Sequence, residues 1–229
     1  MDTTTQLSAG SQSLTFTGPL TIGGSPGSDA EAPKVVRAGD DVFLLWHQFP
    51  DPLAAVPQPD VYLARSTNQG VTFQPRMNLS NTPGGTSDQE DIAASRSGNQ
   101  TRVYVVWIEN TAGVTDVVFR RDRTNDGTYA NPKKLNGTLG TDNARNPHVV
   151  ASGDNVFVIW EADGSGAVAD VFFTRSTDSG DTFKNTQNLS NNAGESMDSR
   201  LVMLPNTRVL VTWRDMSLSP VDILYTRSQ

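Results

Sequence analysis

The chain has no cysteine, which excludes disulfides, thiolate nucleophiles and thiolate zinc sites. It has only two histidines, His47 and His148, so a conventional His/Cys zinc site cannot be assembled. No apolar run approaches the roughly 20 residues that cross a bilayer as a helix, and no lipidation motif is visible. The opening stretch Met1-Asp2-Thr3-Thr4-Thr5-Gln6 has neither a positive region nor an apolar core, so it is no signal peptide. A trimmed secreted chain given a start Met and a cytoplasmic chain both fit that opening. Basic residues are in the minority: 18 Lys and Arg against 25 Asp and Glu give a net charge of −7. An acidic surface repels phosphate backbones, which argues against nucleic acid as a partner.

What is present is turn-rich and β-prone. The 229 residues are 36% hydrophobic, with Gly 19 and Pro 13, a composition that permits one large all-β domain. The dominant signal is an internal repeat. Four segments end on the four tryptophans: Val42–Trp46, Val103–Trp107, Val156–Trp160 and Val209–Trp213. Each is β-branched, aromatic and almost continuously apolar, the pattern of a strand buried on both faces. A second set follows each tryptophan after a polar loop, at Asp60–Ser66, Asp116–Asp122, Asp170–Ser176 and Asp222–Ser228. Turns come next, Ser66-Thr67-Asn68-Gln69-Gly70-Val71-Thr72-Phe73 and Ser176-Thr177-Asp178-Ser179-Gly180-Asp181-Thr182-Phe183, with a degenerate copy at 122–129. Asx side chains that bond their own backbone, followed by a glycine, suit a hairpin. Fourth strands are expected over 73–79, 129–135 and 183–189. The last repeat stops at Gln229, and Phe16 to Ile22 repeats the spacing of the missing piece. The N-terminal segment 13–22 is therefore expected to supply the outer strand of the last unit, which hides a sheet edge.

The turn 176–183, preceded by Asp170-Val171-Phe172-Phe173-Thr174-Arg175, resembles the Asp-box repeat of sialidases and related β-propellers, over about 14–229. The resemblance implies a β-propeller, and the four copies of the repeat give an all-β, four-bladed one of four-stranded antiparallel blades in a single domain, 1–229, with an open fragment of a six-bladed ring, the blade number of sialidases, as the alternative. Its blades run at about 33–80, 91–136, 147–190, and 200–229 with 13–22. Sialidases also carry an Arg-Ile-Pro motif, an arginine triad, a Tyr–Glu pair and an Asp acid/base. This chain has no Arg-Ile-Pro, and Tyr62, Tyr104, Tyr129 and Tyr225 all fall at strand or turn core positions. No catalytic residue carries over.

Candidate ligand residues lie in the loops opposite the Asp boxes, where every blade contributes. Asp29, Asp88, Asp142 and Asp198 each follow a loop glycine, with gaps that alternate and suggest a pseudo-twofold face. They serve either as turn caps or as ligands for a hard cation such as Ca²⁺. The second strands exit with His47, Glu109, Glu161 and Asp215, and Arg145, Arg200 and Arg214 lie on the same side. His47 reads first as a surface histidine. Glu109 and Glu161 are the carboxylate pair that a glycosidase reading requires, since such pairs stand roughly 5–10 Å apart. The strand-start aspartates Asp60, Asp116, Asp170 and Asp222 read as structural. The proline-rich loop 49–59 breaks the repeat most. These features point to a secreted or cell-surface module that recognises glycan or protein. A glycoside hydrolase-like enzyme and a scaffold without a small ligand are the alternatives.

Overall fold

A computed structural model describes residues 17–23, 28–49, 58–137, 143–163, 168–217 and 219–229. Among them, strands form four antiparallel sheets in chain order. Sheet 1 holds β1 (Ala30–Ala38), β2 (Asp41–Gln48), β3 (Asp60–Ser66) and β4 (Met77–Asn78). Sheet 2 holds β5 (Thr86–Ser97), β6 (Gln100–Thr111), β7 (Val114–Asp122) and β8 (Lys133–Lys134). Sheet 3 holds β9 (Arg145–Ser152), β10 (Asn155–Asp163), β11 (Ala169–Ser176) and β12 (Gln187–Asn188), and sheet 4 only β13 (Ser196–Leu204), β14 (Arg208–Asp215) and β15 (Asp222–Arg227). The sequence repeat becomes a repeat of register. Trp46, Trp107, Trp160 and Trp213 stand opposite Tyr62, Val118, Phe172 and Leu224.

Each first strand carries one irregularity that the sequence alone does not announce. Ala32, Gln89, Asn146 and Asp198 adopt φ of 52°, 52°, 51° and 55°, and the ladder slips at each of them. Such a bulge re-aims the side chains that follow it, here Pro33, Glu90, Pro147 and Ser199.

Three apolar cores lie between successive sheets. Phe43, Leu45 and Leu63 of sheet 1 meet Ile92, Val105 and Trp107 of sheet 2. Tyr104, Val106 and Phe119 meet Val149, Val158 and Trp160. Ile159 and Val171 meet Val211 and Trp213. Among the described residues, of the four central strands only β6 and β10 contribute to a core on each of their two faces. Val42, Leu44, Leu210 and Thr212 stay partly exposed, which departs from the doubly buried reading of all four central strands. Among the described residues no core joins sheet 4 to sheet 1.

The turns after β3 and β11 share one hydrogen-bond pattern. Ser66 Oγ accepts from Asn68 N (3.2 Å) and Gly70 N (2.9 Å), and Asn68 Oδ1 accepts from Thr72 N (2.9 Å). Ser176 Oγ accepts from Asp178 N (3.2 Å) and Gly180 N (2.8 Å), and Asp178 Oδ1 from Thr182 N (2.9 Å). In the degenerate copy Asp122 takes both roles, accepting from Thr124, Asn125 and Gly127 N. Gly70, Gly127 and Gly180 all sit at φ of 80–87°, where a side chain is strained. Ser176→Ala leaves two amides without their acceptor and is expected to cost about 1–2 kcal/mol, checked by urea denaturation. The strand-start aspartates brace the fourth strands: Asp60 accepts from Asn78 and Ser80, and Asp170 from Asn188 and Ser190. Asn78 and Asn188, each followed by Leu-Ser in the pattern of a glycosylation acceptor, thus spend their amide nitrogens on the fold.

The expected N-terminal strand is a further departure. Thr17–Gly23 forms no strand. Residues 17–22 line a groove on sheet 1 with Leu44 and Gly70–Arg76, and Gly23 abuts Trp46. Among the described residues β15 has no fourth-strand neighbour. Residues 13–16 of the expected strand lie outside the described residues.

Candidate functional site

The start of each first strand pairs with the end of the second, so Glu31 faces His47 and Ser87 faces Glu109. The candidate residues thus gather at one end of the sheets. The bulge then decides which neighbours meet. Glu90 and Asp91, consecutive on β5, each hold one of the chain's two histidines.

His47 Nδ1 lies 3.0 Å from Glu90 Oε2, and His47 Nε2 lies 3.7 Å from Glu31 Oε2. Glu90 is fully buried and Glu31 largely exposed. The hydrogen bond to Glu90 raises the His47 pKa above its ordinary 6.5, burial opposes it, and the charges of Glu90, Asp88 and Glu31 add to the rise. Burial pushes the Asp88 carboxyl up, an effect that His47 opposes and Glu90 reinforces. Glu90 Oε1 is buried with no hydrogen-bond partner among the described residues. The Phe49 ring stands edge-on to His47 at 5.9 Å between centroids. His47 is thus a buried, carboxylate-held imidazole and not a surface histidine.

The second dyad runs along the first strands. His148 Nδ1 lies 3.3 Å from Asp91 Oδ2, which also accepts from Val149 N at 3.0 Å. Arg200 Nη1 lies 3.1 Å from His148 Nε2. A guanidinium only donates, so Nε2 is the acceptor in that contact and Nδ1 is the ring nitrogen that faces Asp91.

The remaining candidates are dispersed. Glu109 and Glu161 are not a pair, because they stand two and one residues beyond their tryptophans and so point to opposite faces of their sheets. Glu109 accepts from Thr82 Oγ1 (2.9 Å) in the junction of sheets 1 and 2. Glu161 accepts from Ser199 N (2.8 Å), Ser199 Oγ (2.9 Å) and Asn146 Nδ2 (2.6 Å), joining sheet 3 to sheet 4. Arg145 is shared among Asp163 (3.1 Å), Glu195 (3.5 Å) and Glu161 (3.8 Å). Asp215 is fully buried and accepts from Asn192, Ser196, Trp213 and Ser217, a brace closed to ligand. Arg214 pairs with Asp198 at 3.3 Å.

The loop aspartates do not form one ring either. Asp198 occupies the bulge, in line with Gln89, whereas Asp88 precedes its bulge, in line with Glu31, Arg145 and Met197. Asp29 is exposed, and Asp142 and most of the loop 49–59 lie outside the described residues. Among the described residues no group of three or more His, Asp or Glu side chains is placed to hold a metal ion. No helix there is long and apolar enough to cross a membrane. Glu31, Glu90, Asp91 and His148 were not singled out from sequence. The residue following each bulge, proline in sheets 1 and 3 but Glu90 and Ser199 in sheets 2 and 4, was the available signal.

No protein-family model matches the chain, and no curated protein matches it in sequence. Its structure is similar to solved ones. The endo-arabinase from Bacteroides thetaiotaomicron VPI-5482 has 13% identity and a TM-score of 0.53, over 88% of this chain and 75% of that one. The Penicillium chrysogenum alpha-L-arabinanase complexed with arabinobiose has 12% identity and a TM-score of 0.55, over 87% and 62%. Trypanosoma rangeli sialidase has 10% identity and a TM-score of 0.61, over 88% of this chain but only 36% of that one. At such identities the likeness is one of fold. The chain has the propeller fold of sialidases and arabinanases.

Proposed function

We propose that the protein is a glycan-binding propeller whose site is the His47 cluster between sheets 1 and 2. The observation that carries this reading is the convergence of Glu31, Asp88 and Glu90 on His47, beside the ring of Phe49. Carboxylates accept bonds from sugar hydroxyls, an imidazole N–H donates, and an aromatic ring covers an apolar sugar face. The cluster's charge is negative, which favours a neutral sugar over a sialylated or uronic one. The fold likeness to two arabinanases and a sialidase agrees with a glycan ligand. In this reading the four sheets are blades, the repeat turns are Asp boxes, and the protein works outside the cell or on its surface, where glycan polymers are met.

Hydrolysis is the second reading, favoured by one observation: burial holds the Asp88 proton more tightly than usual, as a general acid requires. A thermal-shift and calorimetry panel tests both. A neutral arabino- or hexo-oligosaccharide is expected to raise the unfolding midpoint, a sialylated one to leave it unchanged, and Asp88→Asn to weaken binding about tenfold. No shift with any neutral glycan contradicts the site. Release of reducing ends that stops in Asp88→Asn moves the assignment from lectin to hydrolase.

A further inference from the structure

The repeat shows which surfaces were built to be covered. Val61, Val117 and Val171 are each 0% exposed in the junctions, yet their counterpart Ile223 on sheet 4 is 66% exposed. Leu63 and Phe119 are 4% and 1% exposed, while their counterpart Tyr225 is 72% exposed. The same holds in reverse on sheet 1. Ile92 and Val149, which face the preceding sheet, are 4% and 3% exposed, and their counterpart Val35 is 67% exposed. Each chain thus offers one free face of each of the two kinds that meet in all three junctions, and among the described residues the two do not meet each other.

A second feature repeats with them. Arg65 of sheet 1 donates to the carbonyl of Asn125 in the turn of sheet 2, and Arg121 donates to the carbonyl of Ser179 in the turn of sheet 3. Asn125 and Ser179 are the residues just before or near the turn glycine with φ of 56° and 59°, and Gln69 in the turn of sheet 1 matches them at 59°. The arginine at the same place on sheet 4 is Arg227, which is exposed. Finally, Phe183 of sheet 3 sits edge-on against Phe119 of sheet 2 at 4.9 Å. The corresponding place on Phe173 is an open groove of about 160 Å³, lined also by Leu189, Val211 and Thr226.

We propose that the free face of sheet 4 docks onto sheet 1 of a second copy of the chain. Two copies meet head to tail, and two such junctions close one ring. Ile223 and Tyr225 of one copy pack against Val35 and Leu44 of its partner, and Arg227 clamps the Gln69 carbonyl as Arg65 clamps Asn125. Residues 17–22, which travel on the face of sheet 1, come to the unpaired edge of β15. Among the described residues sheet 4 and sheet 1 of one chain share no core, whereas a partner presents the matching face. The contact is independent of the glycan site, which lies between sheets 1 and 2.

Light scattering coupled to size exclusion tests the proposal. The wild-type chain is expected to elute with the mass of two chains, and Ile223→Asp and Val35→Asp each with the mass of one. Both positions are exposed in the single chain, so circular dichroism is expected to show both variants folded. Mixing the two variants restores the pair, because one junction of native composition can still form. A single-chain mass for the wild type overturns the proposal. So does a pair that either substitution leaves intact, or a mixture that stays monomeric.

Discussion

Trp107→Ala is expected to destabilise the protein by about 3–5 kcal/mol, the usual cost of emptying a large aromatic site in a packed core. Trp107 is 0% exposed and stands in the core between sheets 1 and 2, against residues of both. Among the described residues one core cluster joins sheets 1 and 2, so a cavity there loosens that junction as a whole. For a chain of this size the loss corresponds to a fall of roughly 10–15 °C in Tm. Differential scanning calorimetry measures it. A change below about 1 kcal/mol would mean that the sheets do not depend on their junction cores.

Glu90→Ala is the second large effect, about 2–3 kcal/mol near pH 6. It removes the hydrogen-bonded partner of a buried imidazole and leaves only the charges of Asp88 and Glu31 facing it. Its signature is pH dependence as much as magnitude. The folded pKa of His47 is raised above 6.5, so protonated His47 stabilises the native state below that value. This contribution is lost as pH rises from about 6.5 through the folded pKa. The raised Asp88 carboxyl acts with the same sign in the acid range, its contribution fading as pH climbs above about 4. Wild-type stability is therefore expected to decline between about pH 6 and 8, and Glu90→Ala to flatten that decline. Denaturant titrations across this range check it. An unchanged slope in Glu90→Ala would assign the pH dependence elsewhere.

The strands were legible because their signal is local. Val-rich segments ending on Trp46, Trp107, Trp160 and Trp213, and the Ser-x-Asx-x-Gly turns, specify structure over a few residues each, and four sheets followed from them. The site was legible only in part. His47 and Asp88 stood out, but their meeting with Glu90 depends on a bulge at Gln89 that re-aims one side chain across a junction. Nothing in a glutamine announces positive φ. Glu109 and Glu161 look equivalent because both follow a tryptophan closely, yet one residue of offset sends them to opposite faces. The outer edges were misread for a different reason. Apolar residues on β2 and β14 read as doubly buried because a strand built for contact has the same local pattern whether or not both of its faces meet a core within the described residues.

The most direct test of the site uses the fact that the chain has two histidines. Imidazole NMR signals, followed while a neutral oligosaccharide is added, report both dyads at once. The account predicts that the His47 signals move on saturation and that its titration midpoint lies above 6.5 without ligand, while the signals of His148, held between Asp91 and Arg200, stay in place. If ligand binds and the His47 signals do not respond, the glycan site lies elsewhere on the propeller.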